Sequence, residues 1–121
     1  VLLFVIGTGL VLADDGSQKL IGTKPPEWQV GGWLNSPPLK LADLKGTVVL
    51  IRWWTAPGCP YCSATAPALN EFHEQHPGLV VIGFYHHKSD QPLTPEHVAK
   101  QAERLGFKFP VAVDPEWQTL N

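Results

Sequence analysis

The run Thr47-Val48-Val49-Leu50-Ile51-Arg52-Trp53-Trp54 is β-branched and aromatic almost without interruption, and a pair of thiols follows within a few residues. Such a run is expected of a strand buried on both faces of a helix-covered sheet. Thr55-Ala56-Pro57-Gly58 breaks it, and the chain's only two cysteines come next, as Cys59-Pro60-Tyr61-Cys62. From Cys62 to about His76 the residues Ala66, Leu69 and Phe72 fall at helical spacing, with Gly78 suited to the C-terminal cap. The first sulfur is therefore predicted where a buried strand gives way to a helix.

That placement carries chemistry. Free backbone N–H groups and the positive dipole end at a helix N-terminus favour thiolate over thiol, and can lower a cysteine pKa from about 8.5 to roughly 3.5 to 7.5. Cys59 is the predicted nucleophile. Cys62, one turn later on the same face, is placed to attack a mixed disulfide on Cys59 and release the partner. Half of a zinc site and a structural bridge are the competing readings. Zinc needs a second pair of soft ligands, and no second C-x-x-C or Cys/His pair at the usual spacing is present. A bridge across two residues closes so short a loop that its entropic gain is small. The redox reading requires no metal or organic cofactor, because the dithiol carries both electrons.

At 121 residues, 44% hydrophobic and 17% charged, the chain is bounded to one small globular domain. A net charge of -2 without a basic cluster gives no electrostatic ground for nucleic-acid binding. Val1 to Leu12 is apolar apart from Gly7, Thr8 and Gly9, and Val11-Leu12-Ala13 resembles the small-x-small pattern before a signal-peptidase cut. Residues 1–13 therefore read as the end of a secretory signal, residues 14–38 as an N-terminal extension and residues 39–121 as the main domain. Export to an oxidising compartment such as the periplasm follows. A buried N-terminal strand, or a membrane anchor, is the other reading of the same stretch. The basic leader and any methionine are missing, so the sequence reads as a fragment.

Between Asp14 and Pro38, Pro25-Pro26 and Pro37-Pro38 act as breakers, and Trp28 and Trp33 are candidate anchors for loops and short strands that wrap the core. Leu39 to Gly46 predicts one helical turn. Leu79 to Tyr85 reads as a second apolar strand, and Lys88 to Pro92 as a polar loop. Thr94, Pro95 and Glu96 supply an N-cap, a first-turn proline and a dipole-matching acid for a helix that buries Val98, Ala102 and Leu105 and ends at Gly106. Phe109 to Val113 predicts a third strand. Strand, helix, strand, helix, strand is the order of a parallel α/β layer with right-handed crossovers.

These residues resemble the thioredoxin-fold family, more closely its exported redoxin or TlpA-like branch of thiol–disulfide oxidoreductases. The resemblance rests on Leu41-Ala42-Asp43-Leu44-Lys45-Gly46, Trp53-Trp54 before the C-x-x-C, Pro67, Val80-Val81-Ile82-Gly83 and Phe109-Pro110-Val111-Ala112-Val113-Asp114. It implies a central, mostly parallel sheet flanked by helices, with Cys59 as nucleophile, Cys62 as resolving thiol, Trp54 beside the active-site loop and Pro67 kinking the first helix. It also implies protein or small-molecule thiols and disulfides as partners, an electron donor or acceptor, and a monomer.

The chain departs from the family pattern in four places. Gly58 stands where an aromatic residue usually precedes the first cysteine, and one extra residue separates it from Trp54. Arg52 occupies the central-strand position of a buried acid; it would favour thiolate if it faced the dithiol, but the cost of burying an unpaired arginine favours an outward position. Pro60-Tyr61 is the dipeptide of glutaredoxins, whose potentials lie around −200 to −230 mV. The family's cis-proline is either Pro110 or a residue beyond Asn121; the segment around Pro110 favours the latter, with the C-terminal part of the fold then missing.

Tyr85-His86-His87-Lys88 follows the second strand on the carboxyl edge, where open α/β sheets place their sites. His86 there could tune a thiolate or bind a metal, against the plainer reading of solvated loop histidines. His73, His76 and His97 read as helix-surface residues. A peroxiredoxin-like peroxide reductase is the runner-up activity, although Ala56 stands where that family has a threonine three residues before its cysteine. A non-catalytic thioredoxin-like module, or a periplasmic thiol and metal-handling protein binding Cu(I) through Cys59, Cys62 and His86, comes from a different class.

Overall fold

The computed structural model describes residues 17–55, 58–88, 93–114, 116 and 119. The signal-like residues 1–13 fall outside them, as do Ala56, Pro57 and most of the predicted polar loop before Thr94. Strand β1 is Gly32–Leu34, β2 is Val48–Trp54, β3 is Leu79–His86 and β4 is Val111–Asp114; helix α1 is Pro60–Gln75 and α2 is Pro95–Leu105. A single 3₁₀ turn, Leu41–Leu44, stands where one helical turn is predicted.

The sheet order is β1-β4-β3-β2. β2 pairs with β3 and β3 with β4 in parallel, each pair joined by a helical crossover, while β1 runs antiparallel to β4. The α/β class is as expected, and the sheet is mixed rather than purely parallel. Alternation along the strands builds two cores. Trp54, Val81, Tyr85, Val111 and Val113 pack with Cys62, Ala66 and Leu69 of α1 and Val98 and Ala102 of α2. On the other face Ile82, Phe84 and Ala112 lie under Trp28, Val30, Trp33, Leu39 and Leu44. Trp28 anchors that strap, its indole N–H donating to Leu39 O at 2.8 Å and its ring meeting Phe84 edge-on.

Several expectations need correction. Among the described residues β2 pairs with β3 alone, and Val48 and Ile51 are exposed, so it is not covered along its whole length. Phe72 is also exposed, so α1 buries only Cys62, Ala66 and Leu69. α1 stops at Gln75 with His76 as its cap, the His76 N–H donating to Phe72 O, so Gly78 belongs to the turn into β3. β3 runs one residue further than predicted because His86 pairs in register with Asp114. His86 is consequently buried rather than a solvated loop residue.

Helix α2 forms where expected and buries Val98 and Ala102, while Leu105 is only half-buried. Thr94 Oγ1 accepts from the His97 N–H at 3.2 Å, Pro95 opens the first turn and Gly106 closes the last.

Candidate active site

Gly58 has φ +86°, a left-handed conformation that L side chains rarely adopt, and it turns the chain between β2 and α1. Cys59 follows in an extended conformation as the N-cap of α1, with Pro60 at the first helical position. Its sulfur does what an aspartate or serine oxygen does at other helix starts. The Cys62 N–H donates to Cys59 Sγ at 3.2 Å. Negative charge on Cys59 Sγ would thus meet a donor N–H and the positive end of a 16-residue helix.

Cys59 and Cys62 are joined in a disulfide, with their Cα atoms 5.3 Å apart. They differ sharply in exposure. Cys62 is 2% exposed and belongs to the helix-side core with Trp54 and Ala66, whereas Cys59 is half-buried at the rim. Cys62 Sγ lies 3.6 Å from Thr55 O, a carbonyl that can accept from the thiol once the bridge is reduced. Pro60 and Tyr61 are exposed, Tyr61 at 76%, so the dipeptide between the cysteines faces solvent.

Trp54, the last residue of β2, is fully buried and supports the site from beneath. Its ring meets Tyr85 at 4.7 Å and Phe107 at 4.9 Å, both edge-on. A Cβ on Gly83 would come within 2.9 Å of Phe109 Cε2 and 3.2 Å of Trp54 Nε1, so the indole occupies space that any other residue at 83 would take. Trp54 Nε1–H has no hydrogen-bond partner among the described residues.

The remaining candidates are not gathered at the dithiol. Arg52 is half-buried on the edge strand, and its Nη1 donates to Trp53 O at 2.9 Å rather than to either sulfur. His86 lies on the strap face of β3, packed near Trp53, while Cys62 belongs to the helix face; alternation along the strand separates them. Burial holds the His86 imidazole below its ordinary pKa of 6.5, with Lys88 lowering it further and Asp114 opposing. His87 accompanies the Tyr85 hydroxyl, at 3.2 Å from Nδ1, and faces His97 at a centroid distance of 6.3 Å. Among the described residues no group of three or more His, Cys, Asp or Glu could hold a metal ion. Pro110 O accepts from the Gly83 N–H at 2.9 Å at the entry to β4. Pro67 lies within α1, which continues through it.

One feature of the site has no counterpart in the sequence reading. A groove of about 510 Å³ opens at Cys59 and runs between α1 and α2, bringing Gln101, Arg104 and Leu105 to the same opening as Thr55 and Pro60. Gln101, Arg104 and Leu105 share one face of α2 at helical spacing, which is the signal that was available.

A disulfide-bonded C-x-x-C at the N-cap of the helix after a sheet strand, with parallel crossovers on one face, defines a thioredoxin-like protein. The chain belongs to the AhpC/TSA family, whose pattern matches residues 21–121. Protein DipZ of Mycobacterium bovis and of Mycobacterium tuberculosis is 36% identical over 113 residues, covering 88% of this chain and 16% of DipZ. The chain thus spans about a sixth of the length of those relatives. The soluble secreted antigen MPT53 of the same two species is 34% identical over 50 residues, 41% of this chain and 28% of the antigen. The crystal structure of the thioredoxin-like superfamily protein SPOA0173 superposes with a TM-score of 0.61 at 32% identity, over 75% of this chain and 62% of that one.

Proposed function

We propose that this chain is a thiol–disulfide oxidoreductase whose reacting pair is Cys59 and Cys62. The observation that carries the reading is the asymmetry of the pair: a rim sulfur that caps a helix, bridged to a sulfur inside the core. In the reduced protein the Cys59 thiolate attacks a substrate disulfide, forming a mixed disulfide and expelling one substrate thiolate. Cys62 then attacks Cys59 Sγ, restoring the internal disulfide and expelling the second thiolate, so two electrons pass from protein to substrate. The reverse sequence oxidises a substrate dithiol. Trp54 holds the end of β2 under the loop, Pro60 pre-sets the first turn of α1, and Tyr61 offers an exposed ring to the arriving partner.

Replacing Cys59 with Ser should abolish exchange, while Cys62→Ser should accumulate a mixed disulfide visible by mass spectrometry. Turnover that survives in Cys59→Ser would sink the mechanism. Alkylation of reduced Cys59 should be half-maximal well below the pH of about 8.5 expected for a free thiol. The peroxide-reducing alternative predicts consumption of hydrogen peroxide by the same dithiol at rates rivalling disulfide exchange.

The proposed location is outside the cytoplasm, in a periplasm-like compartment, free or held by the N-terminal segment. The signal-like pattern of residues 1–13 and the likeness to a secreted antigen support this. Among the described residues no helix is long and apolar enough to cross a membrane. The proposed organisation keeps residues 14–38 as an extension and residues 39–121 as the redox domain, acting as a monomer on protein or small-molecule thiols.

A further inference from the structure

The groove beside Cys59 has a definite chemical character. Arg104 is the only charged residue among those that line it, and its side chain makes no ion pair or hydrogen bond among the described residues. Gln101 lies one turn earlier on the same face, and its amide offers both a donor and an acceptor. Pro60 and Leu105 provide apolar wall. The groove extends from Gly58 before α1 to the last turn of α2. A ligand with its sulfur at Cys59 and a carboxylate at Arg104 lies in the groove between the two helices, an arrangement that suits an extended peptide.

We propose that Arg104 selects substrates, and that the preferred substrate is a polypeptide disulfide with an acidic residue close to the reacting cysteine. This rests on the oxidoreductase reading above and adds a substrate class to it. Arginine suits the task because its planar fork binds carboxylate bidentately, and because the exposed Arg104 is open to an arriving partner. Electron transfer remains that of the dithiol: the acidic peptide's disulfide is reduced as Cys59 and Cys62 are oxidised, and Arg104 forms no covalent bond. The carboxylate is held by Arg104 while Gln101 pairs with the peptide main chain.

The test uses three synthetic disulfide-bonded peptides that differ only in whether residues flanking the cysteine are Asp, Asn or Lys, with glutathione disulfide as a fourth substrate. Reduced protein is mixed with each, and the second-order rate constant is read from the appearance of the Cys59–Cys62 disulfide. The Asp peptide should react roughly three- to tenfold faster than the Asn peptide, the range for a partly screened, hydrogen-bonded ion pair. Arg104→Glu should reverse the order of the Asp and Lys peptides, and Arg104→Gln should flatten it. Lys100→Glu, an equal charge change on an exposed residue of the same helix outside the groove, should leave the preference intact. Equal rates for the three peptides overturn the proposal, as does a Lys100→Glu effect as large as that of Arg104→Glu. Arg104 dependence confined to glutathione disulfide overturns the polypeptide assignment. Absence of exchange with all four substrates defeats the oxidoreductase reading itself, a failure distinct from lost selectivity.

Discussion

Trp53 and Trp54 are neighbours in sequence and belong to different parts of the molecule. Trp54 points to the helix side of the sheet, fully buried among Tyr85, Phe107 and the core that contains Cys62. Trp53 points to the strap side, half-buried, where it meets Phe84 at 4.8 Å and His86 at 6.2 Å. The helix face is a continuous buried cluster; the strap face is a smaller one, roofed by half-buried residues and opening into a cavity of about 640 Å³ lined by Trp28, Leu44, Val49, Ile51 and Trp53. The dithiol rests on the better-packed side. Reaction geometry that must survive the opening and closing of a disulfide is thus supported where side chains have least freedom to relax.

The largest expected effect comes from breaking this contrast directly. Trp54→Ala should cost about 3–5 kcal/mol, since a large buried aromatic leaves a cavity that the sheet cannot close. Trp53→Ala should cost only about 1–2 kcal/mol, as its ring is already partly in water. Urea unfolding of the oxidised protein measures both. Equal losses would mean that the two faces contribute alike, and the account of the site's support would fail. Gly83→Ala comes next. The added methyl meets Phe109 at 2.9 Å and the Trp54 indole at 3.2 Å, so overpacking should cost about 1–3 kcal/mol. Because Gly83 lies under Trp54, that variant should also shift the near-ultraviolet signal of the indole, which a change on the strap face should leave alone.

How much of this was legible in the sequence depended on the range of the interaction. The start of α1 is governed by local chemistry: Gly58 turns the chain, Cys59 caps and Pro60 fits the first helical position, so the sulfur at the strand-to-helix junction could be read from a few residues. Thr94 and Gly106 bound α2 for the same reason. The exposure of Val48 and Ile51 could not be read that way, because an apolar run reports that side chains find cover without saying which of them do. Phe72 shows a finer error. It lies ten residues after Cys62, and ten steps of about 100° leave it roughly 80° off the face shared with Ala66 and Leu69. Arg104 was invisible as a site residue because only the packing of α2 against α1 brings it to the groove that opens at Cys59. In sequence it is a basic residue in the last turn of a helix, which the dipole alone would explain.

The strap face carries the smallest of the expected effects. His86 is buried at the end of β3 with its pKa held below 6.5, first by burial and then by Lys88, against the opposing pull of Asp114 across the strand pair. The folded imidazole therefore stays neutral at a pH where the unfolded one has taken up a proton. As pH falls below about 6.5 the unfolded state binds protons that the folded state refuses, so stability declines until the pH reaches the lower folded value, and this share of the decline then stops. His86→Gln removes that share. Urea midpoints measured at pH 7.5 and 5.5 should fall further for the parent chain than for His86→Gln, whereas Trp54→Ala should keep the parent's pH difference despite its much larger loss of stability. A parent and a His86→Gln variant that respond identically to pH would mean that Asp114 offsets both burial and Lys88.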